Sequence, residues 1–265
     1  MMANRMLKIL AATVAFLLVT VALPAAAQNP PAVRMIHGPT VITQSGSYVV
    51  TRDIITHDGQ PAIAIQTNEV SLDLGGHRLV GPPGRIGAGV AVNGATDVHI
   101  HNGFIARYQV GVLLDNAKNV VVENLQIDGV DSGGAPPDVE IGILLLDTRG
   151  ARIVDNVITD TFLGIFVRGD GSGGNYIADN LLTAGDQGEL GICYNPAPGA
   201  TSGGPHGDLV TGNVVSRFRR SLSLSPDSSG NVVRGNTLAY IDIPIQEATA
   251  GSNLVIDNDE QQITR

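Results

Sequence analysis

Cysteine is nearly absent. Cys193 stands alone, so no intrachain disulfide can form, and its thiol is most simply a small buried hydrophobe. Lysine is as scarce: beyond residue 27 only Lys118 remains. With Arg5 and Lys8 set aside, 14 basic residues face 25 acids, a net charge of −11. Nucleic acid, which needs a basic face to displace its counterions, is thereby excluded as a partner. A polyanionic glycan would also be repelled unless a local basic patch or a bridging cation intervened. After residue 27 there is no apolar run long enough to cross a bilayer. Nor is there a ten-residue stretch of helical period, which excludes βαβ units.

What is present begins with an amino-terminal signature. Arg5 and Lys8 give a positive start, Ile9 to Leu23 an apolar run, and Ala25, Ala26 and Ala27 a small-residue junction before Gln28. The run is shorter than the ~20 residues of a spanning helix, so residues 1–27 are expected to be a removable secretory signal. No membrane insertion should follow its removal, and no cysteine at the junction offers a lipid anchor. The expected product is a periplasmic or secreted chain of about 238 residues, the size of one large β domain. Residues 28–62 are expected to form an amino-terminal segment and cap, and 63–265 the body.

That body repeats. A block of the form apolar, any, Asp or Gly, Asn, any, apolar occurs at Ile153 to Ile158, Ile177 to Leu182, Val210 to Val215 and Val233 to Leu238, with a truncated copy at Val255 to Asn258. Its asparagines are Asn156, Asn180, Asn213, Asn236 and Asn258. Asn102 and Asn124 are expected to be variants of the same rung, and Gly75 a glycine in its place. From Asn102 the intervals are 22, 32, 24, 33, 23 and 22 residues, a period near 22 with two insertions of about ten. Before each block comes a short β-prone segment opened by a small residue, as in Gly89-Val-Ala-Val, Gly142-Ile-Leu-Leu, Gly191-Ile-Cys-Tyr and Ser221-Leu-Ser-Leu. Coils stacked at the ~4.8 Å strand spacing would bury one continuous core. Stacked amides would donate to one another along the axis, and asparagine tolerates a left-handed turn.

These residues resemble the pectate-lyase-like superfamily of right-handed β-helices, most closely its class of repeat proteins that includes the periplasmic copper-accessory (NosD-type) proteins. The resemblance covers about Gly46 to Asn258. It implies an all-β, single-stranded right-handed parallel β-helix of seven to eight coils with three short strands per coil. The Gly-Ile-type segment would belong to the first sheet and the asparagine to the turn after the second. Gly46 to Thr56 would form the cap that protects an open sheet edge.

In the enzymes of that superfamily the substrate lies across the first sheet. Alternation would then turn Leu144, Leu146, Phe166, Arg168, Cys193 and Asn195 outward. The insertions 131–140 and 196–208 would wall the two sides of this stretch, and long Gly/Pro loops on a rigid scaffold are where function concentrates. Asp115 and Arg168 are the floor candidates for catalysis, with Glu140, Asp147 and His206 on the rims. Carboxylates about 5 to 10 Å apart would suit glycoside hydrolysis. A uronate lyase or epimerase would instead need a base and a cation over the carboxylate. The paired aspartates of polygalacturonases, the Asp-Pro-His-Asp of alginate epimerases and the Arg-x-Pro-x-x-Arg of pectate lyases are all missing. The outward row Ala64, Ala91, Leu113, Leu144, Phe166 and Cys193 is apolar, the mark of a covered surface, a protein partner or a homodimer contact.

A column of acids one residue before the asparagines, Glu123, Asp155 and Asp179 with His101 beside them, would need a shared cation such as Ca²⁺ unless each acid is satisfied by its own turn's backbone. The expectation is an exported β-helix that binds or processes a polysaccharide or oligosaccharide. The alternative is a non-catalytic periplasmic scaffold or partner-binding protein, including a metal-accessory role.

Overall fold

The computed structural model describes residues 32–129, 140–186, 188–195, 204–247 and 252–263. Among them there is no helix, and every strand pairing is parallel. The chain is a right-handed β-solenoid of about eight turns, as the repeat requires. A nine-stranded sheet collects the glycine-led segments, among them Ala88–Asn93, Val110–Asp115, Ile141–Leu146, Leu163–Arg168, Leu190–Asn195 and Arg220–Leu224. A seventeen-stranded sheet holds the other two strand columns of each coil. These columns are hydrogen-bonded into one sheet because Val98–Ala106 and Val121–Asp128 run straight through the corner that later coils break. Gly46–Val50 and Ile54–Ile55 pair in register with the following coil in both columns.

The core follows from register. Ile100, Val122, Ile153, Ile177, Val210 and Val233 stack in one inward row, and Ile105, Ile127, Ile158, Leu182, Val215 and Leu238 in another. All are essentially inaccessible. Burying each such side chain stabilises by about 1.5–3 kcal/mol, and a one-residue slip would turn a whole row to solvent.

The amide ladder exists from Asn156 onward. Asn156 Nδ2 donates to Asn180 Oδ1 at 3.0 Å, and Asn180, Asn213 and Asn236 each donate to the next rung at 2.9 Å. The next rung's Oδ1 also accepts the preceding asparagine's backbone N–H, at 3.0–3.1 Å. Two expectations need correction. Asn102 and Asn124 are not rungs: Leu125, whose N–H donates to Asn156 Oδ1, and Gly103, paired with Leu125, hold that place. Asn102 and Asn124 stand one position earlier, with φ of 63° and 52°, in a column with Gly75, Asp155, Asp179, Gly212, Gly235 and Asp257, all at positive φ. The left-handed position is therefore the Asp or Gly of the motif, and the ladder asparagine itself stays outside that region.

A second ladder, unread in the sequence, runs through the turn that enters the middle strand. Asn175 N–H donates to Asp208 Oδ1 at 2.7 Å and its Nδ2 to Asp208 Oδ2 at 3.3 Å. Asp208 N–H donates to Asn231 Oδ1 at 2.9 Å, and Asn231 Nδ2 to Asn253 Oδ1 at 2.9 Å. Here too a positive-φ glycine, Gly174, Gly207 or Gly230, precedes the rung.

The glycines that open the first-sheet strands are explained by a close approach. A Cβ on Gly111, Gly142, Gly164 or Gly191 would lie 2.5–2.6 Å from a carbonyl oxygen of the next coil. On Gly164 it would also lie 2.5 Å from Leu182 Cδ2. The backbone oxygen cannot yield without shifting a strand, so Gly164→Ala is expected to destabilise by about 2 kcal/mol. Urea unfolding showing a wild-type midpoint would contradict this packing.

Candidate functional site

The nine-stranded sheet presents two outward columns over its middle and end. The middle column runs Val41, Ala64, Ala91, Leu113, Leu144, Phe166, Cys193, Ser223 and Gln246, each paired with the next. Phe166 and Cys193 are buried within the monomer, in a satellite cluster with Leu163 against Ile141, Leu144, Phe162 and Leu190. The centre of the apolar stripe is thus already covered by this chain. Burial pushes the Cys193 thiol up to about 12, leaving essentially no thiolate for nucleophilic attack at neutral pH. The loops expected to wall this stretch, 131–140 and 196–208, fall outside the described residues at 130–139 and 196–203.

The end column runs Asn93, Asp115, Leu146, Arg168 and Asn195. Asp115 and Arg168 therefore share one column, two rungs apart, with Leu146 between them. Arg168 lies back toward Phe166, its Cζ 5.8 Å from the ring centroid, and its buried Nε has no hydrogen-bond partner among the described residues.

Of the remaining catalytic candidates, Asp147 adjoins this column, its N–H donating to the Arg168 carbonyl at 3.0 Å, whereas Glu140 and His206 lie elsewhere. Glu140 sits buried at the opposite edge of the sheet, in a 3.0 Å ion pair with Arg85. Asp147, at φ 47° directly after Leu146, accepts the Gly171 N–H at 2.9 Å from the turn of the next coil. His206 belongs to a separate row of turn bridges, Thr96, Lys118, Arg149, Gly173, His206 and Ser229. The basic turn Arg217, Arg219 and Arg220 is taken up by Asp186, Glu189 and Asp242.

The proposed cation column divides. Glu123 pairs in register with His101 and Val154, so it lies on the sheet face, whereas Asp155 and Asp179 occupy left-handed turn positions. Glu123 Oε1 is 2.8 Å from His99 Nε2, and His99 stacks on His101 with centroids 4.4 Å apart. Burial, and then the neighbouring His99, lower the His101 pKa, while Asp73 and Glu123 act in the other direction. Among the described residues no group of three or more His, Cys, Asp or Glu side chains is disposed to hold a metal ion.

The open concavity on the outer face of the first sheet is one the sequence reading missed. It lies at the amino-terminal coils and has a volume of about 610 Å³. Val41, Ala64, Gln66 and Asn93 floor it, and the loop through His57, Asp58 and Gln60 walls it. Asn93, an exposed end-column residue, continues directly into Asp115. The chemistry is mixed: an apolar floor strip beside three carboxamides, each both donor and acceptor.

The model of the family described as periplasmic copper-binding protein (NosD) matches residues 62–259. No curated protein matches. Among solved structures, an alginate lyase from Paenibacillus sp. str. FPU-7 superposes with a TM-score of 0.53 at 11% identity, over 84% of this chain and 92% of that one. A hyperthermoactive exopolygalacturonase from Thermotoga maritima gives 0.54 at 13%, over 88% and 70%. A mutant tailspike protein of E. coli bacteriophage HK620, in complex with a pentasaccharide, gives 0.53 at 11%, over 89% and 57%. At such identities the likeness is one of fold.

Proposed function

We propose that this chain, which belongs to the NosD family of β-helix proteins, is an exported protein that holds an oligosaccharide in the cleft at the amino-terminal end of its first sheet. The observation that carries the reading is the cleft itself, about 610 Å³ with Gln60, Gln66 and Asn93 around an apolar floor of Val41 and Ala64. Ligand pockets pair apolar area with a few fixed polar groups, and sugar hydroxyls, like carboxamides, both donate and accept. Export is supported by the features of residues 1–27 and by the family's periplasmic description. The solved structures named above include two enzymes that bear polysaccharide names and one protein bound to a pentasaccharide.

Family membership also agrees with a metal-accessory role, but the described residues do not fit copper. Its usual protein donors are Cys, Met and His. Here the thiol is buried, Met35 is the one described methionine, and the stacked histidines face carboxylates in pairs.

A glycan array followed by calorimetry tests the carbohydrate reading. Gln66→Ala and Asn93→Ala are each expected to weaken the best ligand about tenfold, the worth of roughly 1.4 kcal/mol in a lost hydrogen bond. Wild-type affinity in both variants would move the site elsewhere. Should the chain also cleave its ligand, Asp115, one rung beyond Asn93, is the acid nearest the floor in register.

A further inference from the structure

We infer that the glycan taken by this cleft is neutral, and that polyuronates are rejected; the inference rests on the reading of the cleft as a saccharide site. A uronate chain presents a carboxylate on each sugar, and a carboxylate brought out of water needs a cation or several donors aimed at it. None of the twelve residues that line the cleft is lysine or arginine. Its one carboxylate is Asp58, which accepts the Gln60 N–H at 3.2 Å and adds negative charge to the lining.

The floor continues in the same sense. The residue paired with Asn93 on the next coil is Asp115. The first cation along that column is Arg168, beyond Leu146 and three rungs from Asn93, about 14 Å at the usual strand spacing. Of the guanidiniums on nearby coils, Arg52 donates from Nε to the carbonyl of His37 and Arg85 is ion-paired with Glu140, and neither lines the cleft. Like charge at a cleft lowers both the local concentration and the affinity of an anionic ligand. Gln60, Gln66 and Asn93, uncharged and able both to donate and to accept, suit hydroxyl groups instead.

The polymer names carried by the alginate lyase and the exopolygalacturonase would point the other way, so the two readings separate cleanly. The probe is a pair of galacturonan oligosaccharides of equal length, one fully methyl-esterified and one de-esterified, beside galactan and xylan oligosaccharides of the same length. Binding to the full-length mature protein is measured by calorimetry at pH 7.5, at low and at high salt. At least one uncharged oligosaccharide is expected to bind, and the esterified galacturonan at least 30-fold more tightly than its acid form at low salt. That ratio should shrink at high salt and in Asp115→Asn, because both reduce the repulsion. An acid form that binds as tightly as its ester, or more tightly, overturns the inference and leaves the cleft a saccharide site. Absence of binding by every oligosaccharide of the panel, the acid form included, overturns both.

Discussion

Asp208→Asn is expected to stabilise the protein at pH 7 by about 2–3 kcal/mol and to remove most of the change in stability between pH 4 and pH 7. Asp208 is an acid built into a ladder of amides, and only 1% of it is exposed. Its oxygens accept the N–H and the Nδ2 of Asn175. Asn231 Nδ2 in the next coil donates onward to Asn253, whereas an ionised carboxylate has nothing to donate. Burial raises the Asp208 pKa to about 6, against the lowering effects of the Asn175 hydrogen bonds, of the Tyr194 hydroxyl and of His206. The Tyr194 hydroxyl comes close enough to interact but lacks the geometry of a well-formed hydrogen bond.

The sign is fixed by linkage. An unfolded aspartate titrates near 3.8 and the folded one near 6, so the native state prefers the neutral acid. That preference contributes fully below pH ~4 and is lost as pH rises through ~6, at a cost of about 3 kcal/mol. An asparagine supplies the missing donor and carries no charge at any pH. Thermal unfolding from pH 4 to 7.5 should give a variant that melts about 6–10 °C above wild type at pH 7 and close to it at pH 4. Parallel pH profiles for the two proteins would show that Asp208 is not buried as an ion.

How much of this was legible before the structure differs by element. The period and its short alternating strands were legible because parallel stacking demands the same residue class at the same place in every turn, and three strands per coil followed from the family resemblance. The rung at Asn102 and Asn124 was misplaced by one residue because two adjacent positions favour the same amino acid for different reasons. One needs a residue that tolerates positive φ, and the other needs an amide facing along the axis. The Leu125 N–H bond to Asn156 Oδ1 and the positive φ of Asn102 and Asn124 separate them. The second ladder did leave a trace: Asn175, Asp208, Asn231 and Asn253 each stand five residues before a rung of the first. Asp208 obscured it, since an acid among amides reads as a surface turn.

The site was less legible still. Gln66 and Asn93 end strands of early coils, where the asparagine motif is absent and nothing in their local sequence marks them. They become neighbours only through the register of the first sheet and the turn at 57–60. Glu140, an apparent rim acid, is instead consumed by Arg85, 55 positions earlier in the chain. Contacts of that separation leave no signature in a single sequence.

The second large effect is expected at the centre of the first ladder, where Asn180→Ala should cost about 4 kcal/mol while Asn258→Ala costs about 1 kcal/mol or less. Asn180 Nδ2 donates to Ile153 O, Ala178 O and Asn213 Oδ1, at 2.8, 2.9 and 2.9 Å. Its Oδ1 accepts both the backbone N–H and the Nδ2 of Asn156, each at 3.0 Å. Truncation orphans two donors in a region with 1% exposure or less, and each buried unsatisfied group costs about 1–3 kcal/mol. Asn258 closes the same ladder at the end of the stack: it accepts from Asn236 in the same way but is half-buried, so water can take its place. Asn180→Asp divides the effect further, because it keeps the acceptors and removes the donors. It should be less stable than wild type at pH 7 and regain stability as the pH falls, the mirror image of Asp208→Asn. Equal losses for Asn180→Ala and Asn258→Ala in urea unfolding would mean that the side-chain ladder follows the register of the coils without contributing to it.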